Sequence, residues 1–447
     1  MQKNDYFIGI VTDYTHDGLG VVKINNFPLF VEDVVVGEEV EIKVTKLKKN
    51  LGYAKLIKII KKSPNRVEIT EKTSGANLLH LSYEEQLKFK TNKVKNIFDK
   101  ILGKDQVNVL QTLGMENPYN YRNKSVVPVQ KENEEIKMGY YKPRTHDVIN
   151  SYNCSIQYEE HNILINKIRD IIKNIQLSVY DEKNHKGALR HIMFRTNRDK
   201  TEIMIGIIAK EKFAKLKEFV NEMVSLDNRI KSIILNINDK KTNVIYGDYT
   251  EILYGEEFIS DYLGNLKFNI SLKSFYQVNP IQTELLYRKA IELADVKQTD
   301  NVIDAYCGIG TISLFVAGNA KKVYGIEVVE PAINNAVENA RNNDIDNVKF
   351  LLGKSEEVIE DLIQNKEKID VVIVDPPRKG CEESFLRNLS DMNIPKVVYV
   401  SCNPATLARD INIMKNLGYN VGDIQPVDMF PQTVHVECVV LLQRSKE

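Results

Sequence analysis

The sequence predicts a multidomain chain: a small all-β, OB-like barrel over residues 1–62, an α+β segment over 63–270, and an α/β domain built on a doubly wound parallel sheet over 271–447. Three observations carry this. Short β-rich runs parted by turn residues fill the first sixty positions. From Phe275 onward, apolar runs alternate with helical patterns. And 447 residues exceed what one ordinary core supports.

Composition sets the limits. With 43% hydrophobic and 27% charged residues the chain is globular rather than disordered. Basic and acidic residues number 61 each. This excludes a uniformly basic coat while leaving room for a local basic patch. The five cysteines, Cys154, Cys307, Cys381, Cys402 and Cys438, form no C-x-x-C pair, which argues against a disulfide framework and a metal site. The first residues, MQKNDYF, are polar and lead into no signal-type core, and no apolar run approaches the ~20 residues that span a bilayer. A monomeric protein of a reducing, cytoplasmic compartment is expected.

In the first segment, turn signals stand at Asp17-Gly18, Asn25-Asn26, Gly37-Glu38 and Asn50-Leu51-Gly52. Lysines gather late, among them Lys46, Lys48, Lys49 and Lys55, with no acid between Lys43 and Lys62. They form either a solvated strand face or, beside Tyr53, a contact for the RNA backbone. In the second segment, residues 82–103 read as an amphipathic helix. Ser82 is its N-cap, Glu85 the capping-box partner and Gly103 the stop. A hairpin turning near Asn197–Lys200 carries Arg190, Arg195 and Arg198, which face RNA or form a solvated edge. A helix follows over 211–226.

The third segment reads as strands at NVIDAY, KKVYGIE, VKFLLG, IDVVIVD, KVVYVS and VECVVLLQ, with helices between most of them. Ligands of such sheets bind beyond the carboxyl ends of the strands. The first run ends in Asp304 and continues through Tyr306 into the Gly308-x-Gly310 turn. The second ends in Glu327, at the distance that suits a ribose diol. Ser313 stands where a dinucleotide fingerprint needs its third glycine, so the pattern favours a nucleoside without pyrophosphate, such as S-adenosylmethionine. The fourth run ends in Asp375-Pro376-Pro377 and the fifth in Cys402-Asn403-Pro404, where prolines stop the strands. His435 and Glu437 share one face of the last strand.

A thiol, a carboxylate and a methyl donor suit methylation of a pyrimidine ring carbon. Cys402 would add to C6 of uracil, C5 would take the methyl group, and Glu437 would remove the C5 proton, with His435 as a rival base. Asp375 would accept the N3–H of uracil. A strand-end cysteine alone is more often packed and inert. What raises Cys402 above that is its company at neighbouring strand ends.

These residues resemble the RNA uracil-C5 methyltransferases over nearly the whole chain. HDGLGVV, FVEDVVVGE and GYAK are similar to that family's TRAM barrel. HLSYEEQLKFK and YRNK are similar to its middle region. SFYQVNP, DAYCGIGTISL, GIEVVEPAI, DPPRKG, SCNPATLARD and MFPQTVHVE are similar to its Rossmann-like catalytic domain. The resemblance implies that Gln277, Tyr306 or its neighbours, and Glu327 contact S-adenosylmethionine, that Phe275 stacks near the target base, and that Asp375, Cys402 and Glu437 read, attack and deprotonate it. Many relatives hold an iron–sulfur cluster on four cysteines. Here TEKTSGANLLHLSYE has none and only Cys154 resembles a ligand, so no cluster is expected. The barrel favours ribosomal RNA by analogy with the family. The alternatives are a transfer-RNA uracil-5-methyltransferase, an enzyme acting on cytosine, and a non-catalytic RNA-binding or assembly factor.

Overall fold

The computed structural model describes residues 1–69, 75–142, 145–365 and 367–445. The chain packs as two compact units, Met1–Pro118 with Asp423–Cys438, and Tyr119–Gly422 with Val439–Glu447.

In the first unit β1 (Tyr6–Tyr14), β2 (Gly20–Ile24), β3 (Phe27–Val31), β4 (Glu39–Leu47) and β5 (Gly52–Lys61) close into a barrel in the order β1-β2-β3-β5-β4. Alternating residues fill it, among them Val11, Val22, Leu29, Val40, Ile42 and Val44. Asn25 and Asn26 both take positive φ, 49° and 64°, in a two-residue loop between paired Ile24 and Phe27. Such a loop matches the strand twist, and asparagine tolerates it. At the end of the barrel the wholly buried Glu38 accepts two hydrogen bonds from Arg66, Nε at 2.6 Å and Nη2 at 2.8 Å.

Helix α1 (Tyr83–Leu102) follows, with Ser82 accepting the Glu85 N–H at 3.3 Å and Gly103 at its end. The capping box is half formed. The Glu85 carboxylate accepts from Asn65 Nδ2 at 3.1 Å, and the Ser82 N–H, its expected target, is taken by the Asn65 carbonyl at 2.7 Å.

The second unit opens with β6 (Lys124–Glu132), β7 (Glu135–Tyr141), β8 (Val148–Asn150), α2 (Glu159–Asn174), β9 (Leu189–Thr196), β10 (Ile203–Ala209), α3 (Leu216–Val224), β11 (Ile230–Ile237) and β12 (Tyr249–Gly255). The strands form one mixed sheet in the order β12-β11-β10-β9-β6-β7-β8, with α2 and α3 packed on one face. The expected hairpin is β9–β10. Two of its arginines, Arg190 and Arg195, are buried, which corrects the reading of them as a solvated edge. Arg190 is buried and donates to the carbonyls of Asn238, Lys240 and Thr242 at 2.7, 2.8 and 3.1 Å. Arg195 is 2% exposed. The cause is long-range packing: the 238–242 loop folds over the hairpin and leaves carbonyls that need donors.

A two-stranded ribbon, β13 (Phe258–Leu263) and β14 (Leu266–Ser271), leads to α4 (Pro280–Ala294). Then come β15 (Asn301–Ala305), α5 (Thr311–Ala317), β16 (Lys322–Glu327), α6 (Glu330–Asn342), β17 (Val348–Leu352), α7 (Ser355–Gln364), β18 (Val371–Val374), α8 (Glu383–Asp391), β19 (Lys396–Ser401), α9 (Pro404–Asn416) and β20 (Tyr419–Val421). Strand β21 (Gln425–Val427) lies in the first unit, and β22 (Glu437–Arg444) ends the chain's regular structure. The sheet order is β17-β16-β15-β18-β19-β22-β20, and its first five strands are parallel. Arg444 N–H bonds the Pro395 carbonyl at 2.9 Å, beside the start of β19, so β22 runs opposite to β19. The strand order reverses between β15 and β18, where a doubly wound sheet opens its crevice.

Candidate active site

The turn after β15 is shaped by backbone that other residues tolerate poorly. Gly308 and Gly310 have φ of 56° and 82°. A Cβ on Gly310 would strike the Phe350 ring at 2.8 Å, whereas one on Gly308 would meet nothing within 4 Å. The turn is therefore pressed onto the sheet on one side and open on the other, as close approach by a ligand requires. Glu327, at the end of β16, accepts the Gly308 N–H at 3.1 Å with one oxygen. With the other it accepts the Val328 and Val329 N–H groups at 2.8 and 3.0 Å. It thus ties the turn to the start of α6. Val328, next to it, is 60% exposed, an apolar surface at the rim.

Asp304 sits under the turn. It is 0% exposed, accepts the Ser313 hydroxyl at 2.6 Å, and leaves Oδ1 without a partner. Burial pushes its carboxyl up to about 7, with the Ser313 bond opposing and the charge of Asp375 adding to the rise. Asp375, at the end of β18, is half-buried as a residue, yet burial of its carboxyl also pushes it up to about 7. Tyr306, half-buried with φ 70°, packs its ring 6.0 Å from that of Phe385. Phe275 is 73% exposed although both its neighbours, Ser274 and Tyr276, are buried. The backbone is anchored while the ring is held out in solvent, more exposed than any other large hydrophobic side chain among the described residues. The Gln277 carbonyl accepts from Asn123 Nδ2 at 3.2 Å.

Cys402 lies between β19 and the N-cap of α9, where Asn403 Oδ1 accepts the Ala405 N–H at 3.1 Å. Four thiols are buried, and Cys402 alone of the five is not. Burial pushes the Cys381 thiol up to about 12 and those of Cys307 and Cys438 higher still. The N-terminal end of α9 favours negative charge beside Cys402.

The same helix holds the loop that follows Asp375. Asn403 Nδ2 and Thr406 Oγ1 donate to the Arg378 carbonyl at 3.1 and 3.4 Å, and Arg409 Nη2 to that of Lys379 at 2.9 Å. The buried Asp410 accepts the Cys381 N–H at 2.9 Å and the Tyr399 hydroxyl at 2.6 Å. Sequence reasoning missed this strap. Its signal was available, since Asn403, Thr406 and Asp410 share one helical face.

Glu437 is 3% exposed and opens β22; it belongs to the first unit, whereas Asp304, Glu327, Asp375 and Cys402 belong to the second. The segment leading to it is clamped by α1. Lys90 pairs with Asp428 and donates to the Phe430 carbonyl at 3.0 Å. Gln86 exchanges two hydrogen bonds with Gln432, at 2.8 and 2.9 Å, and Lys93 donates to the Val434 carbonyl at 2.7 Å. His435 is exposed. On the barrel, Lys46, Lys48, Lys49 and Lys55 are exposed, with Lys48 Nζ 5.5 Å from the Tyr53 ring centroid. Cys154 is buried, its N–H held by Asn162 at 2.8 Å. Residues 70–74, in the segment that lacks the cluster cysteines, lie outside the described residues.

The open turn at Gly308 and the carboxylates at neighbouring strand ends fit a nucleoside cofactor. Comparison with known proteins agrees. The family described as "tRNA (Uracil-5-)-methyltransferase" matches residues 82–445, and the TRAM domain matches residues 10–57. A Clostridium tetani protein named "Uncharacterized RNA methyltransferase" is 48% identical over 99% of this chain and 97% of its own length. A Bacillus cereus protein of the same name is 44% identical over 100% and 98%. The solved structure of a Pyrococcus abyssi tRNA (uracil-54, C5)-methyltransferase in complex with S-adenosyl-L-homocysteine matches with a TM-score of 0.80 at 30% identity, covering 97% of this chain and 99% of that one. Among the described residues no helix is long and apolar enough to cross a membrane. The chain belongs to the tRNA (uracil-5-)-methyltransferase family: it is an RNA methyltransferase that uses S-adenosylmethionine and carries a TRAM domain.

Proposed function

We propose that this enzyme methylates C5 of uridine in ribosomal RNA, with Cys402 as nucleophile and Glu437 as general base. The observation that carries the reading is the placement of Cys402: a half-buried cysteine at the carboxyl edge of the sheet, just before the helix that also straps the loop after Asp375. Bound S-adenosylmethionine supplies the electrophilic methyl group. Gln277, Asp304, Tyr306, the Gly308–Gly310 turn, Glu327 and Asp375 would hold it, with Asp304 acting from beneath the turn. Phe275 would stack on the uracil, and Asp375 would accept its N3–H.

The steps balance. Cys402 Sγ bonds to C6, and the electron pair of the C5–C6 double bond moves toward O4. C5 would then take the methyl group as the donor's S–CH3 bond breaks, leaving S-adenosylhomocysteine. Glu437 removes the C5 proton, the double bond re-forms, and the C6–S bond breaks to release the thiolate. Glu437 is favoured over His435 because an enclosed carboxylate can hold a proton away from water, whereas His435 is exposed.

The barrel (1–62) and middle segment (63–270) would bind RNA, and 271–447 would carry the chemistry. A transfer-RNA substrate is the second reading. It is favoured by the Pyrococcus abyssi enzyme, named for tRNA, which covers 97% of this chain.

The test is incubation with ribosomal and transfer RNA followed by nucleoside mapping for 5-methyluridine. With 5-fluorouridine RNA the wild type should form a covalent adduct, and Cys402→Ala should form none and turn nothing over. Glu437→Gln should accumulate adduct on ordinary RNA. An active Cys402→Ala enzyme ends the thiol scheme.

A further inference from the structure

The face of the mixed sheet opposite α2 holds two basic side chains that no acid among the described residues pairs by a hydrogen bond. Lys124 on β6 and Arg195 on β9 are direct cross-strand partners, so their side chains leave the sheet on the same face. Arg195 donates Nη2 to the Ser274 carbonyl at 2.9 Å, while its Nε and Nη1 are buried without a partner. Lys124 is half-buried, with Nζ 5.4 Å from the Tyr246 ring centroid. Burial first, then the charges of Arg195 and Arg122, bring its ammonium down to about 7. The acid that acts on Arg195 is Asp261, which makes no hydrogen bond to it: Asp261 Oδ1 is engaged by the Arg198 and Tyr262 N–H groups, and Oδ2 is buried without a hydrogen-bond partner. Like charges set opposite each other in a sheet are destabilising, and a buried cation whose donors meet no acceptor is costly. An anion from outside would relieve both costs. Arg195 is enclosed and Lys124 is half-buried, so Lys124 is the member of the pair open to such an anion. Ser274, which Arg195 holds, is the residue before the exposed ring of Phe275.

We propose that Lys124, backed by the field of Arg195, binds a phosphodiester of the RNA strand whose target base meets Phe275. The inference rests on the role given to Phe275 above. The other source of an oxyanion near the sheet edge is the carboxylate of S-adenosylmethionine, and the experiment separates the two.

The probe is a labelled RNA hairpin with a uridine-rich single-stranded loop, its affinity measured across a salt series without turnover. Lys124→Met should weaken binding and make the slope of log K against log salt shallower by about 0.7, the share of one single-strand phosphate. Lys124→Arg should keep the wild-type slope. Lys124→Gln is the second neutral variant if the methionine side chain disturbs packing. S-adenosylmethionine affinity, measured by calorimetry on the same proteins, should not change. An unchanged slope in a folded neutral variant overturns the proposal, and so does a loss confined to S-adenosylmethionine affinity. Because binding is read without catalysis, failure here leaves the nucleoside mapping untouched, and failure there leaves this slope interpretable.

Discussion

Lys90→Met tests whether α1 fixes the segment that leads to Glu437. Lys90 and Asp428 are both wholly enclosed, and Lys90 also donates to the Phe430 carbonyl at 3.0 Å. Removing the ammonium takes this cation from the buried Asp428 carboxylate, and the Tyr83 hydroxyl that also donates to it at 2.9 Å is a neutral donor that cannot replace a cation. Breaking one side of such a pair costs about 3–5 kcal/mol. At roughly 3–5 °C per kcal/mol for a unit of this size, the first unit should melt on the order of 10–20 °C lower. Replacing both partners, Lys90→Met with Asp428→Leu, should recover most of that, because well-packed apolar pairs often match buried ion pairs. Calorimetry reads both. A single variant melting within about 2 °C of the wild type, or a double variant no more stable than the single, would refute the reasoning.

Other outcomes follow from the same geometry. If Asp375 acts as an acceptor it must be ionised, so kcat/KM should rise with pH through about 7, where its carboxyl titrates; Asp375→Asn should flatten that profile and lower the rate by about 10–100-fold. The same raised value means the fold favours the protonated form, so the contribution of Asp375 to stability should decline between about pH 4 and pH 7 as the carboxyl ionises. Asp410→Ala removes the acceptor for Tyr399 and Cys381; kcat should fall while S-adenosylmethionine affinity holds, because the loose part is the loop and not the Gly308 turn. Arg66→Ala strands the buried Glu38 and should cost about 3–5 kcal/mol at neutral pH, read by urea denaturation. Burial raises the Glu38 carboxyl, yet its bonds to Arg66 and to the Val35 and Ser63 N–H groups outweigh this and hold it below the usual range. The wild type should therefore lose stability as acid protonates Glu38, and Arg66→Ala should lose less. Changing Lys46, Lys48, Lys49 and Lys55 to Gln should leave melting unchanged and lower the salt slope of RNA binding by about 3 if all four touch phosphates.

What could be read from the sequence was what local chemistry controls. Runs that end at Ser401 or Val374 do so because a capping asparagine or two prolines follow, and these signals lie within a few residues. The α1 boundaries follow from Ser82 and Gly103 in the same way. Long-range partners could not be read. Arg190 looks exposed in a charged stretch, and only the 238–242 carbonyls, about fifty positions later, explain its burial. The Glu85 carboxylate serves Asn65 rather than its own helix because an upstream turn supplies a competing carbonyl. Nor does periodicity show that 423–438 packs with 1–118, through parallel bridges of Val109 with Ile424 and Leu113 with Val427.

The α9 strap bears on why a cysteine suits this edge. A thiol is useful only if it can be reached and is inert if it is enclosed. Here the other four thiols are enclosed, and helix α9 begins two residues after Cys402. The helix favours negative charge at that end. Its Asn403 and Thr406 meanwhile draw in the loop that carries Asp375. A shift of α9 would therefore move the thiol and the loop together. The distance between nucleophile and base reader would survive motions that a site built from independent loops would not. A variant that frees the loop while keeping the Asn403 cap, such as Thr406→Val with Arg409→Met, should separate the two. It should lose discrimination between uridine and cytidine while Cys402 still alkylates with iodoacetamide at the wild-type rate.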